Sequence, residues 1–389
     1  MDVPPAVARL LPIADARPMG AGGTPATVWR LQLADGRLLA LKVLAAGAGL
    51  VDGHDLETFV RKPAQLALIH AEAPGLRALF VRVEGHLEAP GWAAYWMPFC
   101  AGAPLSGRLL SDPAADGLSE VARVLTPITE DGYARLRRPA APGGFERDHV
   151  QRVARRAWLL EERLDPDLFD PEGIVVNDRL ARPARALLDR LASRPDLLRR
   201  LDPRFGYFPV HGDLNLGNVL VRDGSFTVLD PRGTLDPLDP VYDFAKVAMS
   251  LSGYDQAMSA GFAIERRRPD GGRPRYELRL RRRGAGYRAA AMGLPDRLAA
   301  LPFVRAELEL DDPCWRARLL FARAFHFLAE AACRLSDPTA RSFGAVRGQA
   351  ARVELATGFY LIGVSLLTHL LDQPSPCDAA DPHAPVSWM

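Results

Sequence analysis

Apolar residues alternate over short stretches in the first hundred positions and recur at helical spacing afterwards. Val28-Trp29-Arg30-Leu31-Gln32-Leu33 and Leu38-Leu39-Ala40-Leu41-Lys42-Val43-Leu44 read as strands joined by a turn at Asp35-Gly36. Val81-Arg82-Val83 and Ala93-Ala94-Tyr95-Trp96-Met97 complete a small sheet, with a helix from Asp55 to about Glu72 between. Pro63 disfavours a helix interior, so it can also open a new helical segment there. From Leu105 to about Arg200 the pattern is helical but irregular. Asp148 to Leu164 sets Val150, Val153, Ala157 and Leu160 at helical spacing, Gly173 to Asn177 is a short strand or turn, and Ala181 to Ala192 is helical. Val219-Leu220-Val221 and Phe226-Thr227-Val228-Leu229 flank Asp223-Gly224, a hairpin signal. Tyr242 to about Leu251 reads as a buried helix. A second hairpin is expected where Phe262–Glu265 and Tyr276–Leu280 flank Pro269-Asp270-Gly271-Gly272. Two long helices follow, Pro313 to Leu335 and Val346 to Leu371, and the proline-rich residues 374–389 read as a flexible tail. The pattern predicts an α+β chain: a sheet-rich lobe over 1–100, a mainly helical lobe over 101–373, and the tail.

Composition narrows the function classes. With 389 residues the chain can bury a large core, as one bilobal unit or two domains. The net charge of +2 sets up no global field for a polyanionic partner. Cys100, Cys314, Cys333 and Cys377 are far apart, which suits a reducing compartment and argues against a zinc knuckle or disulfide frame. The N-terminus lacks a charged-then-apolar signal pattern. The most apolar run, Phe359 to Leu371, is short for a bilayer and contains Ser365, Thr368 and His369, so a core helix is expected. The expectation is a soluble cytoplasmic protein with no membrane partner.

The chemistry concentrates in His211 to Gly233. Asp213 and Asn218 share one loop, and the hairpin after them returns Asp230 beside Asn218, followed by Pro231-Arg232-Gly233. Phosphoryl transfer needs such a trio: a carboxylate for the acceptor hydroxyl's proton, and a second carboxylate with an amide oxygen for Mg²⁺ on the nucleotide phosphates. Any one of these residues alone is as readily a turn cap; the ordered set in its strand–turn–strand context is what speaks for chemistry. Upstream, Pro18-Met19-Gly20-Ala21-Gly22-Gly23-Thr24 is a glycine-rich turn whose backbone can approach phosphate oxygens. Lys42, inside an apolar strand, is an expensive charge unless an anion meets it.

His211-Gly212-Asp213, Asn218 and Asp230, with Asp239-Pro240-Val241-Tyr242-Asp243-Phe244-Ala245-Lys246 downstream, resemble the aminoglycoside phosphotransferase and choline kinase group of small-molecule kinases. The run to Ser252-Gly253-Tyr254-Asp255 looks more like bacterial members associated with capsule or polysaccharide biosynthesis. The resemblance implies a protein-kinase-like bilobal fold with ATP between the lobes, and ATP and Mg²⁺ as cofactors. It implies Asp213 as catalytic base, Asn218 and Asp230 on the metal, and Lys42 with Gly20, Gly22, Gly23 and Thr24 on the phosphates. Met97 and Phe99, in a hinge-like stretch, would face the adenine; His211 and Asp243 would support the loop. The chain departs from the group at Arg61-Lys62-Pro63, where Arg-Glu often stands, so Glu57 and Gln65 are the candidate partners of Lys42.

The expected activity is transfer of the γ-phosphate to a hydroxyl of a small molecule, a sugar or sugar-containing metabolite first. An aminoglycoside or choline-type amine comes second, and a catalytically weak nucleotide-binding regulator is the rival from another class. Arg152, Arg155 and Arg156 read as a solvated helix face. The ten arginines of 262–288 could serve an acidic acceptor or nucleic acid, but a solvated hairpin is preferred.

Overall fold

A computed structural model describes residues 3–19, 25–49, 51, 54–112, 115–270, 272–282, 284–337, 342–343, 345–375 and 377. After a short helix α1 (Pro5–Leu10), strands β1 (Ile13–Pro18), β2 (Thr27–Leu33) and β3 (Leu38–Ala45) lead to helix α2 (Leu56–Glu72), then β4 (Gly85–Ala89) and β5 (Trp92–Pro98). The five strands form one antiparallel sheet in the order β1-β2-β3-β5-β4. Its register sets Lys42 opposite Val28 on one side and Tyr95 on the other. One face buries Trp29, Leu31, Leu41 and Val43 in a core of its own, while the other packs against α2. Asp55 caps α2 by accepting the Thr58 N–H at 2.7 Å. The helix runs through Pro63 without a break. Val81–Val83 is no strand: Val81 instead donates to Val228 O at 3.3 Å, and Leu79 O accepts from Val228 at 2.7 Å, tying the lobe to the segment that ends at Asp230.

Past the hinge, β6 (Ala103–Pro104) starts the second lobe, and α3 (Leu105–Ser111) and α4 (Gly117–Pro127) follow. A strand, β7 (Leu136–Pro139), precedes α5 (Gln151–Arg163), whose entry is a wide π turn at Glu146–Val150. Next come β8 (Ile174–Val176), β9 (Arg179–Ala181), α6 (Ala184–Ala192), α7 (Pro195–Leu201) and β10 (Phe205–Phe208). The hairpin expected around Asp223-Gly224 is β11 (Val219–Arg222) and β12 (Ser225–Val228), and β6 adds to its edge with Ala103 opposite Val221. Helix α8 (Val241–Met249) has all nine residues buried.

After α9 (Asp255–Ala260), β13 (Phe262–Arg267) and β14 (Arg275–Leu280) form the expected hairpin. Helices α10 (Ala285–Ala299) and α11 (Trp315–Ser336) precede β15 (Ser342–Phe343), β16 (Val346–Arg347) and α12 (Gln349–Asp372). Helix α12 is long and apolar enough to cross a membrane, but 72% of its most apolar stretch is buried inside the protein. It packs on α11, where Gly363 meets Leu328 so closely that an added Cβ would lie 2.6 Å from its Cγ. The tail expected over 374–389 falls almost wholly outside the described residues.

Two expectations about arginine resolve in opposite ways. The β13–β14 hairpin is a solvated, ion-paired surface: Arg266 meets Asp165 at 2.6 Å, Arg275 meets Asp178 at 2.6 Å, and Arg281 meets Glu354 at 2.6 Å. On α5 the solvated reading fails, because Arg152 and Arg156 are buried and only Arg155 is exposed. Residues at i and i+4 share a helix face, and this face turns toward the interdomain cleft rather than outward.

Candidate active site

The loop that carries Asp213 is fixed from below by Asp243 at the start of α8. Its carboxylate accepts the backbone N–H of His211 at 2.7 Å and of Gly212 at 2.8 Å, and the Tyr133 hydroxyl donates to it at 2.7 Å. Burial pushes the Asp243 pKa up against these bonds. His211 uses both ring nitrogens as braces. Nδ1 accepts from Asp213 N at 3.1 Å, and Nε2 donates to Leu229 O at 2.8 Å. Asn218 donates from Nδ2 to Asp213 O at 2.8 Å, and its own carbonyl accepts from Leu229 N at 2.8 Å. The turn at Asp223-Gly224 has positive φ at both residues, the geometry of a tight hairpin, so β12 returns beside the loop. Asp230 follows, itself at φ 59°.

Asp230 is the meeting point of the two lobes. Lys42 of β3 lies 3.0 Å from one carboxylate oxygen, and Lys62 of α2 lies 2.7 Å from the other. Tyr95 of β5 donates its hydroxyl at 3.2 Å. Burial opposes the charge on Asp230, yet the two ammonium groups hold its pKa well below the usual carboxylate range. Burial drags the Lys42 pKa down, with Asp230 working against it. Neither expected partner of Lys42 serves: Glu57 pairs with Arg61 on the exposed face of α2, and Gln65 points elsewhere. Buried Gln65 accepts from the N–H groups of Gly233 at 2.6 Å and Thr234 at 2.9 Å and donates to Val210 O at 2.8 Å. It therefore clamps α2 to the turn that carries Asp230. Gly233 has φ 89°, and a Cβ there would meet Thr58 O at 2.5 Å, so the turn needs glycine.

Asp213 has a lysine of its own. Lys246 of α8 bridges Asp213 at 2.9 Å and Glu330 of α11 at 2.9 Å, and Arg334 joins Glu330 at 3.2 Å. Burial weakens the Lys246 charge, but the two carboxylates outweigh it and raise its pKa. The sequence reading assigned no role to Lys62, Lys246 or Glu330. A lysine three residues past Asp243 in an otherwise apolar helix was the available signal.

Both nodes open on one cavity of about 570 Å³, lined by Lys42, Lys62, Asp213, Asn218 and Asp230 among others. Met19, Val28, Pro104 and Ser106 line it as well. Gly20, Gly22, Gly23 and Thr24 lie outside the described residues, between Met19 and the start of β2. Met97 is buried in the core, and the Phe99 N–H is taken by Leu38 O at 2.9 Å; neither lines the cavity. Two carboxylates 17 residues apart thus face one cleft, each held by lysine, with a hard-oxygen amide between them. Such an array can align a hydroxyl, a polyphosphate and a divalent cation.

A family model described as the phosphotransferase enzyme family matches residues 20–287, well over half of the chain. The chain belongs to this family. A comparison with curated proteins finds no match. Among solved structures, choline kinase from Cryptosporidium parvum Iowa II is 11% identical, with 95% of each chain covered and a TM-score of 0.50. Aminoglycoside phosphotransferase APH(4)-Ia, in complex with ADP and hygromycin B, is 13% identical over 93% of this chain and 97% of that one, with a TM-score of 0.49. APH(3'')-Id from Streptomyces rimosus ATCC10970, with ADP and streptomycin, is 16% identical over 84% and 95%, with a TM-score of 0.46. The fold is protein-kinase-like, and membership in the family makes phosphoryl transfer its chemistry.

Proposed function

We propose that this phosphotransferase uses ATP and Mg²⁺ to phosphorylate a hydroxyl of a small molecule, with a sugar or sugar-containing metabolite as the first candidate. The observation that carries the proposal is the convergence of Asp213 and Asp230 on one cleft, each with lysine from another element. The donor set suits Mg²⁺: Asp230 offers carboxylate oxygen, and Asn218, whose Nδ2 is committed to Asp213, has its Oδ1 left for a hard cation. The ammonium groups on Asp230 stand where cationic charge is needed. When bound, the metal neutralises phosphate charge and fixes the nucleotide's orientation.

Asp213 accepts the hydroxyl proton as the acceptor oxygen bonds to the γ-phosphorus. The bond from that phosphorus to the β–γ bridging oxygen breaks, and ADP leaves. Lys246 keeps the Asp213 carboxylate in place. Lys42 and Lys62 face the phosphates and offset their charge. Ser106, Asn215, Asp255 and Ser259 line the same cavity, a polar wall suited to a polyol.

The test is ADP release with MgATP and a panel of sugars, sugar derivatives and amines. At least one acceptor should drive release above the acceptor-free rate, and Asp213→Asn should slow it by about 10²–10⁴-fold. A panel in which nothing raises release above that of Asp213→Asn overturns the proposal.

A further inference from the structure

Cys333 of α11 has no part in the transfer chemistry, yet its sulfur stands on the wall of the cleft. The residue is 3% exposed and lines the cavity that holds Asp213 and Asp230. Two other elements bring polar groups to it. Arg156 of α5 donates from Nη1 to the sulfur at 3.1 Å and to Ala329 O, one turn back along α11, at 3.2 Å. Whatever else Arg156 meets, that nitrogen is anchored on the sulfur. His54 comes from the other lobe, directly before the Asp55 cap of α2. It lines the same cavity, is 8% exposed, and its buried Nδ1 has no hydrogen-bond partner among the described residues.

A sulfur that accepts from a guanidinium is favoured as S⁻ over S–H, because the charged acceptor makes the stronger bond. Burial opposes this and raises the thiol pKa, and Glu330, one turn earlier on α11, adds repulsion. Arg156 and then His54 outweigh both and bring the pKa down to about 6. Arg334, the next residue of α11, also faces the sulfur and is itself held charged in part by it. Cys100 is the opposite case. It is only half-buried, its sulfur donates to Pro98 O at 3.6 Å, and burial pushes its pKa up.

We propose that Cys333 is a thiolate on the cleft wall and a site of covalent oxidation by hydroperoxides. The sulfur attacks one peroxide oxygen, and the O–O bond breaks as the S–O bond forms. Sulfur is oxidised to sulfenic acid, and with hydrogen peroxide the leaving hydroxide takes a proton from solvent and departs as water. The new oxygen lies where α5 meets α11, beside the Glu330 that holds Lys246, which in turn holds Asp213. Oxidation therefore slows transfer. The thiol chemistry stands apart from the phosphotransferase reading above, and only its effect on turnover rests on that reading.

The test uses the full chain, reduced and then freed of reductant. Iodoacetamide labelling of each cysteine is followed by peptide mass between about pH 5 and pH 9. Cys333 labelling should rise with a midpoint near pH 6 and then level off, while Cys100 labelling still climbs at the alkaline end. At the Cys333 midpoint an ordinary thiol is about 0.3% thiolate, and the lower nucleophilicity of a low-pKa sulfur gives back about tenfold, so Cys333 should lead by about tenfold. Arg156→Gln should move the midpoint up by about one pH unit or more, and should that buried variant not fold, His54→Gln makes the same test. Hydrogen peroxide followed by dimedone should tag Cys333 ahead of Cys100. The same treatment should slow ADP release by about tenfold or more, because Asp213 is displaced. Dithiothreitol should restore the rate, and treated Cys333→Ser should keep its own untreated rate. Labelling in order of exposure, or a Cys333 midpoint above about pH 8, overturns the thiolate. Oxidation without loss of turnover overturns its control of transfer. If no acceptor drives ADP release in the untreated protein, the phosphotransferase reading fails, and the labelling still decides the thiolate.

Discussion

Single side chains set the charge of this site, and the least expected of them is Lys62. Two ammonium groups within 3.0 Å of one carboxylate compete with any metal for Asp230, yet both stand ready for polyphosphate. Removing one should therefore split two affinities that usually move together. Lys62→Met should weaken ATP binding measured calorimetrically in EDTA by about tenfold, the loss of one charge-assisted contact. The same variant should lower the Mg²⁺ concentration needed for half-maximal ADP release. If both affinities fall together, Lys62 serves the metal site as well as the phosphates. Asp255 makes a separate prediction. Its folded pKa of about 7 lies above that of an unfolded aspartate, so the folded chain takes up a proton that the unfolded chain has released. Stability from this group is full below about pH 4 and is lost as pH rises through 7. Asp255→Asn should match the wild type in urea unfolding at acid pH and exceed it by up to about 4 kcal/mol at pH 8.5. A constant difference across that range refutes the assignment. That Asp213, Asn218 and Asp230 face one cavity was legible in sequence because the three lie in one loop and hairpin. Lys62 and Lys246 were not, since nothing local says which distant carboxylate a lysine will meet.

At the scale of elements, α2 is placed by Gln65 more than by its ion pairs. The side chain accepts two backbone N–H groups from the Gly233–Thr234 turn and donates to Val210 O, so it joins the sheet lobe to the carrier of Asp230. Gln65→Ala leaves those buried groups without a partner and should cost about 3 kcal/mol in urea unfolding. It should also raise the MgATP KM, because Asp230 loses its fixed position. Gln65→Glu keeps the acceptor oxygens but turns an oxygen toward Val210 O, and should fall between the two. A Gln65→Ala protein that is destabilised but keeps its KM would limit Gln65 to packing. Elements with a strong period were readable: α8, α11, α12 and both hairpins fall close to where apolar spacing puts them. The strand expected at Val81–Val83 did not form, because Leu79 and Val81 pair with Val228 instead, a contact across 147 residues. The buried arginines of α5 were misread for a related reason. Helical spacing identifies a face, but only the packed cleft decides that a charged face can be an inner one.

For the whole molecule, the described lobe contacts include the hinge, the Val228 pairing, Gln65 and the ionic node at Asp230. Without nucleotide, Asp230 offsets two lysines whose side chains are 12% and 10% exposed. Asp230→Asn removes that charge and leaves two ammonium groups facing each other with little water. Breaking a buried pair in this way should cost about 3–5 kcal/mol. At roughly 2.1 cal/mol/K per residue of unfolding entropy, that is a fall in Tm of about 4–6 °C for a chain of this length. Nucleotide changes the balance, because its phosphates supply the negative charge that the variant lacks. ATP in EDTA should therefore raise the Tm of Asp230→Asn by more than it raises the wild type, where the lysines are already satisfied. With Mg²⁺ the order should reverse, since the variant has lost a carboxylate for the metal. A nucleotide shift in EDTA that is equal in both proteins, or larger in the wild type, would mean that Lys42 and Lys62 do not face the phosphates. The lobe contact at Asp230 would then be structural alone, and the catalytic cleft would have to take its nucleotide in another orientation.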